Sequence, residues 1–235
     1  MKMLAVETST DACSAALLID GVITERFQLT PKEHTKLILP MIDSLMAEAG
    51  LRPQQLDALA FSCGPGSFTG VRIATGVIQG IAFGADLPVV PVSTLAAIAQ
   101  DYFDQPYATE NIAFTALDAR IGEIFWGVYQ KDDAGLAQLI GKEAVTLATE
   151  IDFPDVNGVG VGSGWGVYAA ELNTRLGSRA LSYEVEHYPR ASGIVRLGLR
   201  DFNKGLAVPV EQAMPVYLRD KVAQTEAERK LNKQL

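Results

Sequence analysis

The spacing of apolar and polar residues in the first thirty positions predicts three antiparallel strands. Apolar runs over residues 3–6 and 13–19 are separated by the polar turn ETSTDA, and a third run ends at Leu29. The Asp20-Gly21 pair between the second and third runs is typical of a two-residue hairpin turn, because both residues tolerate positive φ. The chain is therefore expected to open with an antiparallel sheet.

A helix is expected after these strands, because a capping signature precedes the next periodic run. Thr30 is its predicted N-cap, with Pro31 at the first helical position and Glu33 completing a Thr-x-x-Glu capping box. Gly50 is its predicted end, since glycine readily adopts the left-handed conformation that closes helices. Pro40 falls inside the helix and is expected to kink it, because proline removes one backbone hydrogen bond.

The stretch SCGPGSFTGVRIATGVIQGIAFG, residues 62–84, is a glycine-rich turn that leads into a helix, an arrangement that often holds phosphate. A Walker loop requires a lysine that is missing here, and the dinucleotide fingerprint fails because Thr69 stands where its third glycine belongs. A Gly-x-Ser-x-Gly nucleophile elbow is also absent around Ser67 and Ser163. These motifs therefore do not explain the stretch. The flanking pattern predicts a strand at residues 57–62, a strand at 89–92 and a helix from Ser93.

The helix within this stretch is apolar on nearly every side. Its only charged residue is Arg72, and Gln79 is its other long polar residue. Gly76, Gly80 and Gly84 lie on one face, where a second backbone could approach closely, although each glycine costs up to about 1 kcal/mol relative to alanine. Two interpretations remain open: a central core helix, or a helix buried partly by its own sheet and partly by another chain.

The capped helix also carries more apolar surface than one face of a sheet would cover. Methionine-rich surfaces adapt well to partners, so this excess favours a protein interface. One apolar stripe contains Ile38, Met41, Ile42, Leu45 and Met46, and a half-apolar stripe beside it contains His34, Leu37, Met41 and Ser44.

The second half of the chain partly repeats the first. Strands AFTAL and IFWGVYQ flank the polar turn DARIGE, and a further strand is expected over residues 136–140. Asp118 follows its strand as Glu7 follows the first strand, which indicates weak internal symmetry. We therefore expect two facing lobes of βββαβα type. The predicted divisions are an N-terminal lobe at residues 1–104, a C-terminal lobe at 105–220 with helices near 167–176 and 193–203, and a solvated tail at 221–235.

Composition narrows the class of protein. With 48% hydrophobic and 20% charged residues the chain suits a globular core, no apolar run approaches a membrane span, and the absence of a cleavable signal predicts a cytoplasmic protein. A net charge of −8 argues against tight direct binding of nucleic acid, so any RNA is expected to be held by another subunit. Cys13 and Cys63 are predicted to be buried, unreactive thiols rather than a disulfide or metal site.

Few residues suit metal binding or nucleophilic catalysis. The two histidines, His34 and His187, fall in different predicted lobes, and His34 is expected at a surface or an interface. Glu7, Asp11 and Asp118 could act as general bases or magnesium ligands in a cleft, but without a basic residue nearby they are better interpreted as acids that cap turns.

Seven stretches together resemble the TsaB (YeaZ) family over essentially the whole chain. They are LAVETSTDACSAALL, EHTKLILPMIDSLM, CGPGSFTGVRIATGVIQGIA, PVVPVSTLAAIA, LDARIGEIFWGVY, GVGSGW and PVYLR. The resemblance implies an α/β fold of the actin/Hsp70/sugar-kinase (ASKHA) type, with two ribonuclease-H-like lobes, each a mixed sheet with helices.

The resemblance also implies a function in tRNA modification. TsaB-like proteins are non-catalytic partners of TsaD, which transfers a threonylcarbamoyl group to N6 of adenosine 37 in tRNAs reading codons that begin with A, and the ATPase TsaE supports the same reaction. TsaD-like paralogues carry a His-x-x-x-His metal pair, and at the aligned positions this chain has Thr94 and Ile98. No metal or cofactor is therefore expected. The alternative is a nucleotide-dependent enzyme or a metallopeptidase of the M22 type that uses the cleft between the lobes.

Two sets of site residues follow from the resemblance. TsaB-like proteins pair through two helices of the N-terminal lobe, as homodimers or with TsaD. The predicted interface residues are His34, Leu37, Met41, Leu45, Arg72, Thr75, Gly76, Gln79 and Gly80. A possible vestigial nucleotide cleft would contain Glu7, Thr8, Ser9, Asp11 and Asp118.

Overall fold

Two five-stranded mixed sheets of the same topology are seen in the computed structural model, which describes residues 1–219. The first sheet contains β1 (Lys2–Glu7), β2 (Ala12–Ile19), β3 (Val22–Leu29), β4 (Ala58–Gly64) and β5 (Val89–Ser93), in the order β3-β2-β1-β4-β5. The second contains β6 (Ile112–Arg120), β7 (Glu123–Lys131), β8 (Ala137–Leu147), β9 (Gly158–Val161) and β10 (Ala180–Glu184), in the order β10-β9-β6-β7-β8.

The strand pairing shows the internal symmetry that the sequence indicated. Strand β1 pairs antiparallel with β2 and parallel with β4, and β6 pairs antiparallel with β7 and parallel with β9. The Asp20-Gly21 turn between β2 and β3 has positive φ at both residues, as predicted for this hairpin. Each half therefore places the end of its first strand beside a polar turn.

In the described part of the chain, five α-helices cover the sheets: α1 (His34–Glu48), α2 (Phe68–Ala85), α3 (Thr94–Phe103), α4 (Ser163–Leu176) and α5 (Ala191–Asn203). Helices α1 and α2 pack on one face of the first sheet, and α4 packs on one face of the second. Helix α5 packs on the other face of the first sheet, whereas α3 packs on the second. Because α3 and α5 lie between the sheets, they share one core with both of them.

The start of α1 differs from the prediction. The helix begins at His34, and its N-cap residue Glu33 makes no capping bond with its side chain. Lys32 has φ of 69°, which a right-handed helix cannot contain, so residues 30–33 form a turn instead. The predicted helix end is close to the observed one, since Gly50 adopts positive φ two residues beyond Glu48. Pro40 lies inside the helix.

Other boundaries shift by several residues. Strand β8 extends to Leu147, and α4 begins at Ser163, with Tyr168 in a non-helical conformation near the predicted start. The predicted tail at 221–235 lies outside the described residues. Within residues 1–219, α2 is the one helix long and apolar enough to cross a membrane by composition, a test that core helices also pass, and it packs on β4.

Candidate functional site

The glycine-rich turn packs directly on the polar turn between β1 and β2. The Ser67 amide donates to the Ser9 carbonyl at 2.7 Å, and the Thr8 hydroxyl donates to the Gly70 carbonyl at 2.7 Å. A Cβ atom would lie 2.5 Å from the Ser9 oxygen if placed on Gly66, and 2.0 Å from the Thr8 oxygen if placed on Gly70. These glycines therefore permit a close backbone approach within the chain.

Glu7 is fully buried beneath this contact. Its Oε1 accepts hydrogen bonds from the amide and the hydroxyl of Ser9. Its Oε2 and the Ser62 hydroxyl make no hydrogen bond within residues 1–219. Burial raises the pKa of Glu7 to about 7, and the hydrogen bonds from Ser9 oppose this rise only partly. The carboxyl group is therefore enclosed, and its neutral form persists to a higher pH than in an exposed glutamate.

The predicted cleft residues are not gathered at an open site. Thr8 and Ser9 are fully buried, like Glu7, so a nucleotide has no access to them in this conformation. Asp11 is exposed in the β1–β2 turn. Asp118 lies near the end of β6, where it accepts from the Arg120 amide at 2.8 Å and pairs with the Arg120 guanidinium at 3.0 Å. Both of these contacts of Asp118 stabilise the turn that follows β6.

The two residues that the resemblance places at the positions of metal-binding histidines are also enclosed. Thr94 and Ile98 are fully buried on α3, and the Thr94 hydroxyl donates to the Ser9 hydroxyl at 3.1 Å. Within the described part of the chain, no three His, Cys, Asp or Glu residues are grouped as a metal site would require. Cys13 and Cys63 are free and buried, as predicted, and burial raises their thiol pKa values to about 11 and about 12.

Helices α1 and α2 form a layer whose outer face is open to solvent. The predicted interface residues that lie at least partly at this surface are Leu37, Met41, Arg72, Gly76, Gln79 and Gly80. The other three are buried inside the chain: His34 bonds through Nε2 to the Ala12 carbonyl at 3.1 Å, Leu45 packs in the core, and the Thr75 hydroxyl donates to the Val71 carbonyl at 2.9 Å. The side chains of these three residues therefore make their contacts within the chain.

The outer face of α2 is apolar and has free space above its glycines. A Cβ atom on Gly76, Gly80 or Gly84 would meet no atom of residues 1–219 within 4 Å. Phe83 is 81% exposed and Phe68 is 62% exposed on this helix, two residues that sequence reasoning missed. Within residues 1–219, α2 is therefore not a central core helix, the first of the two interpretations of its sequence.

Arg72 and Gln79 make specific contacts at this face. The Arg72 guanidinium donates to the Phe68 carbonyl at 3.1 Å and lies 3.3 Å from the centre of the Phe68 ring. The Gln79 amide nitrogen donates to the Ala213 carbonyl at 2.8 Å, so Gln79 binds a segment of its own chain. Arg72 thus remains as the charged group of the exposed face of α2.

Comparisons with known proteins assign the family. A family model described as "TsaD: tRNA N6-adenosine threonylcarbamoyltransferase" matches residues 21–227. The chain is 42% identical to the tRNA threonylcarbamoyladenosine biosynthesis protein TsaB of Escherichia coli, covering 95% of this chain and 96% of the relative. It is 30% identical to the TsaB protein of Bacillus subtilis, covering 97% of both.

Solved structures agree with the sequence relatives. YeaZ from Pseudomonas aeruginosa superposes with a TM-score of 0.84 at 39% identity, covering 92% of this chain and 99% of that chain. The predicted fold class, two α/β lobes each with a mixed sheet and helices, is confirmed. On this likeness of sequence and fold along almost its whole length, the chain belongs to the TsaB (YeaZ) family.

Proposed function

We propose that this protein is a non-catalytic subunit that supports threonylcarbamoyl transfer to N6 of adenosine 37 in tRNAs reading codons that begin with A. Its partners in this proposal are the transferase TsaD and the ATPase TsaE. The observation that carries the proposal is the outer face of α1 and α2, where an apolar helix with open glycines is left exposed. Large apolar patches on soluble proteins mark sites of association.

The lack of catalysis is supported by the residues that fill the interior. Thr94 and Ile98, which we expect at the positions of the metal-binding histidines of TsaD-like paralogues, are both enclosed on α3. The acid of the first polar turn, Glu7, is sealed beneath the glycine-rich turn. We therefore assign binding of substrate, metal and nucleotide to the partner subunits.

The same face serves in this proposal for a homodimer and for the heterodimer with TsaD. Residues 1–104 act as the partner-binding lobe and residues 105–220 as the second lobe. The net charge of −8 supports indirect contact with tRNA through the complex, and the protein works in the cytoplasm.

Reconstitution of the transfer reaction tests the proposal. Purified TsaD, TsaE, threonylcarbamoyl-adenylate, ATP and tRNA are combined with and without this protein, and modified adenosine is measured by mass spectrometry. We expect modification to require the protein at stoichiometric amounts, and we expect none from the protein alone. Robust modification by the protein without TsaD would overturn its assignment as non-catalytic.

Calorimetry separates this proposal from a nucleotide-dependent enzyme. Titration of the isolated protein with ATP and magnesium should release no binding heat, because Thr8 and Ser9 are enclosed. A functional cleft would bind in the micromolar to millimolar range typical of substrates, at about 4 to 8 kcal/mol. Saturable binding in that range would favour the alternative enzyme and direct the assay to hydrolysis.

A further inference from the structure

A C-terminal arm, residues 213–219, crosses the N-terminal part of α2. Its Ala213 carbonyl accepts from Gln79, and its Val216 amide donates to the Cys63 carbonyl at 2.7 Å. At its far end the Arg219 guanidinium donates to the Ala119 carbonyl at 3.1 Å and pairs with Glu123, in the second sheet. The arm is thus fixed at three points.

The turn before α2 is shaped to accept the arm. Gly64 has φ of 111°, and a Cβ atom there would lie 2.8 Å from the Val216 carbonyl oxygen. Glycine therefore satisfies both the backbone conformation and the close approach. Only glycine at position 64 allows this approach of Val216, so the sequence of the turn before α2 determines the course of the arm.

The arm holds aromatic and apolar side chains at the surface. Tyr217 is 49% exposed, and its ring centre lies 6.3 Å from that of Phe68. The Arg72 guanidinium lies 3.3 Å from the Phe68 ring centre and 5.1 Å from that of Tyr217, and Met214 is exposed beside Gln79. Because the backbone of the arm is already fixed, its exposed side chains have less conformational entropy to lose when a partner covers them. This is the basis of preorganised binding.

This cluster continues the exposed face of α2 without a break. Phe68, Arg72, Gly76, Gly80 and Gly84 follow one another at four-residue spacing and are all exposed, so neighbours in this series are adjacent on an exposed ridge that winds along the helix. The glycines leave room for the backbone of a partner helix, and Arg72 is the charged residue one helical turn before Gly76. Aromatic rings and arginine are the side chains enriched where binding energy is concentrated.

Taking the proposed function as its basis, we infer that the arm is a third element of the partner-binding face. Together with Phe68 it holds Arg72 for a carboxylate group on a helix of the TsaD partner. Arginine suits this position because its planar guanidinium stacks on rings while its edge donates to a carboxylate.

Binding of purified TsaD to single variants tests this inference. Tyr217→Ala removes one ring, Arg219→Ala releases the end of the arm, and Arg72→Lys keeps the charge but loses the planar stack. Tyr183→Ala, at a similarly exposed tyrosine on β10, is the matched control. Each dissociation constant is measured by biolayer interferometry at two salt concentrations, after circular dichroism has established that the variant is folded.

We expect each of the three variants to weaken binding about tenfold or more, while Tyr183→Ala binds like the wild type. Arg72→Lys should also bind with a changed salt dependence. Hydrogen exchange in residues 213–219 should slow when TsaD binds. Wild-type affinity in all three variants, with unchanged exchange in the arm, would overturn the inference and leave the proposed function standing. Failure of the wild-type protein to bind TsaD would overturn both.

Discussion

At Glu7, burial decides which protonation state the fold prefers. The carboxyl group is enclosed, and residues 1–219 place no opposite charge beside it; the nearby thiols of Cys13 and Cys63 stay neutral because their own pKa values are raised. Its Oε1 accepts two hydrogen bonds from Ser9, which only partly offset the loss of water. The folded state therefore binds the proton of Glu7 more tightly than the unfolded chain does.

Glu7→Gln is expected to reduce the pH dependence of stability. The pKa of Glu7 rises from 4.5 to about 7 on folding, so its stabilising contribution is fully present below pH 4.5 and is lost as pH rises through 7. By linkage the wild type loses about 3 kcal/mol of unfolding free energy over this interval. The amide variant lacks the titration, so its stability should fall less.

Urea unfolding at pH values between 4.5 and 8 measures this difference. Glu171→Gln, at an exposed acid of α4, is the matched control for removing one surface carboxylate. Equal slopes for Glu7→Gln and the wild type would show that Glu7 titrates normally.

At the scale of elements, α2 contains two kinds of glycine with opposite functions. Gly66, in the turn, and Gly70, in the first helical turn, touch the backbone of the polar turn, whereas Gly76 and Gly80 face free space. The sequence pattern could not separate the glycines in a close backbone contact from those on an open face, because the contact of Gly70 with Thr8 joins residues far apart in sequence. The start of α1 was also mispredicted from local sequence. Its capping signature does not begin the helix, because Lys32 adopts a left-handed conformation.

Alanine at the two kinds of position should change stability in opposite directions. Gly70→Ala places Cβ 2.0 Å from a backbone oxygen and should cost at least about 2 kcal/mol of unfolding free energy. Gly76→Ala meets no atom of the described part of the chain within 4 Å and should stabilise the monomer by up to about 1 kcal/mol, since alanine favours helix. Chemical denaturation of both variants measures the contrast. Equal destabilisation would contradict the assignment of Gly76 to an open face.

At the scale of the whole molecule, the two sheets exchange helices. Helix α3 packs on the second sheet and α5 packs on the first. The core between the sheets therefore includes Ile98 of α3 and Ile194 of α5. The sequence indicated two similar halves from the repeat around Glu7 and Asp118, and the strand orders agree. It could not indicate the exchange, because an amphipathic pattern shows which face of a helix is buried but not which sheet buries it.

A fragment of residues 1–104 is expected not to fold independently. Without α5, the sheet face that contains Met3, Ala5 and Ala60 would be open to water, and α3 would lack its sheet. Heteronuclear NMR of the fragment should show poorly dispersed amide signals, whereas the full chain should give a dispersed spectrum. Cooperative thermal unfolding of the 1–104 fragment would contradict the shared core.

The outer face of α1 and α2 as a partner-binding surface is the central claim, and sedimentation of mixtures with purified TsaD tests it most directly. The wild type should form a complex, and Arg72→Glu combined with Gly76→Leu should weaken it by about 1 to 3 kcal/mol or more, as overpacking of a close contact does. Leu181→Glu, at an exposed residue of β10, should leave it intact. A complex of equal affinity in the double variant would contradict the claim, as would the absence of any complex with the wild type.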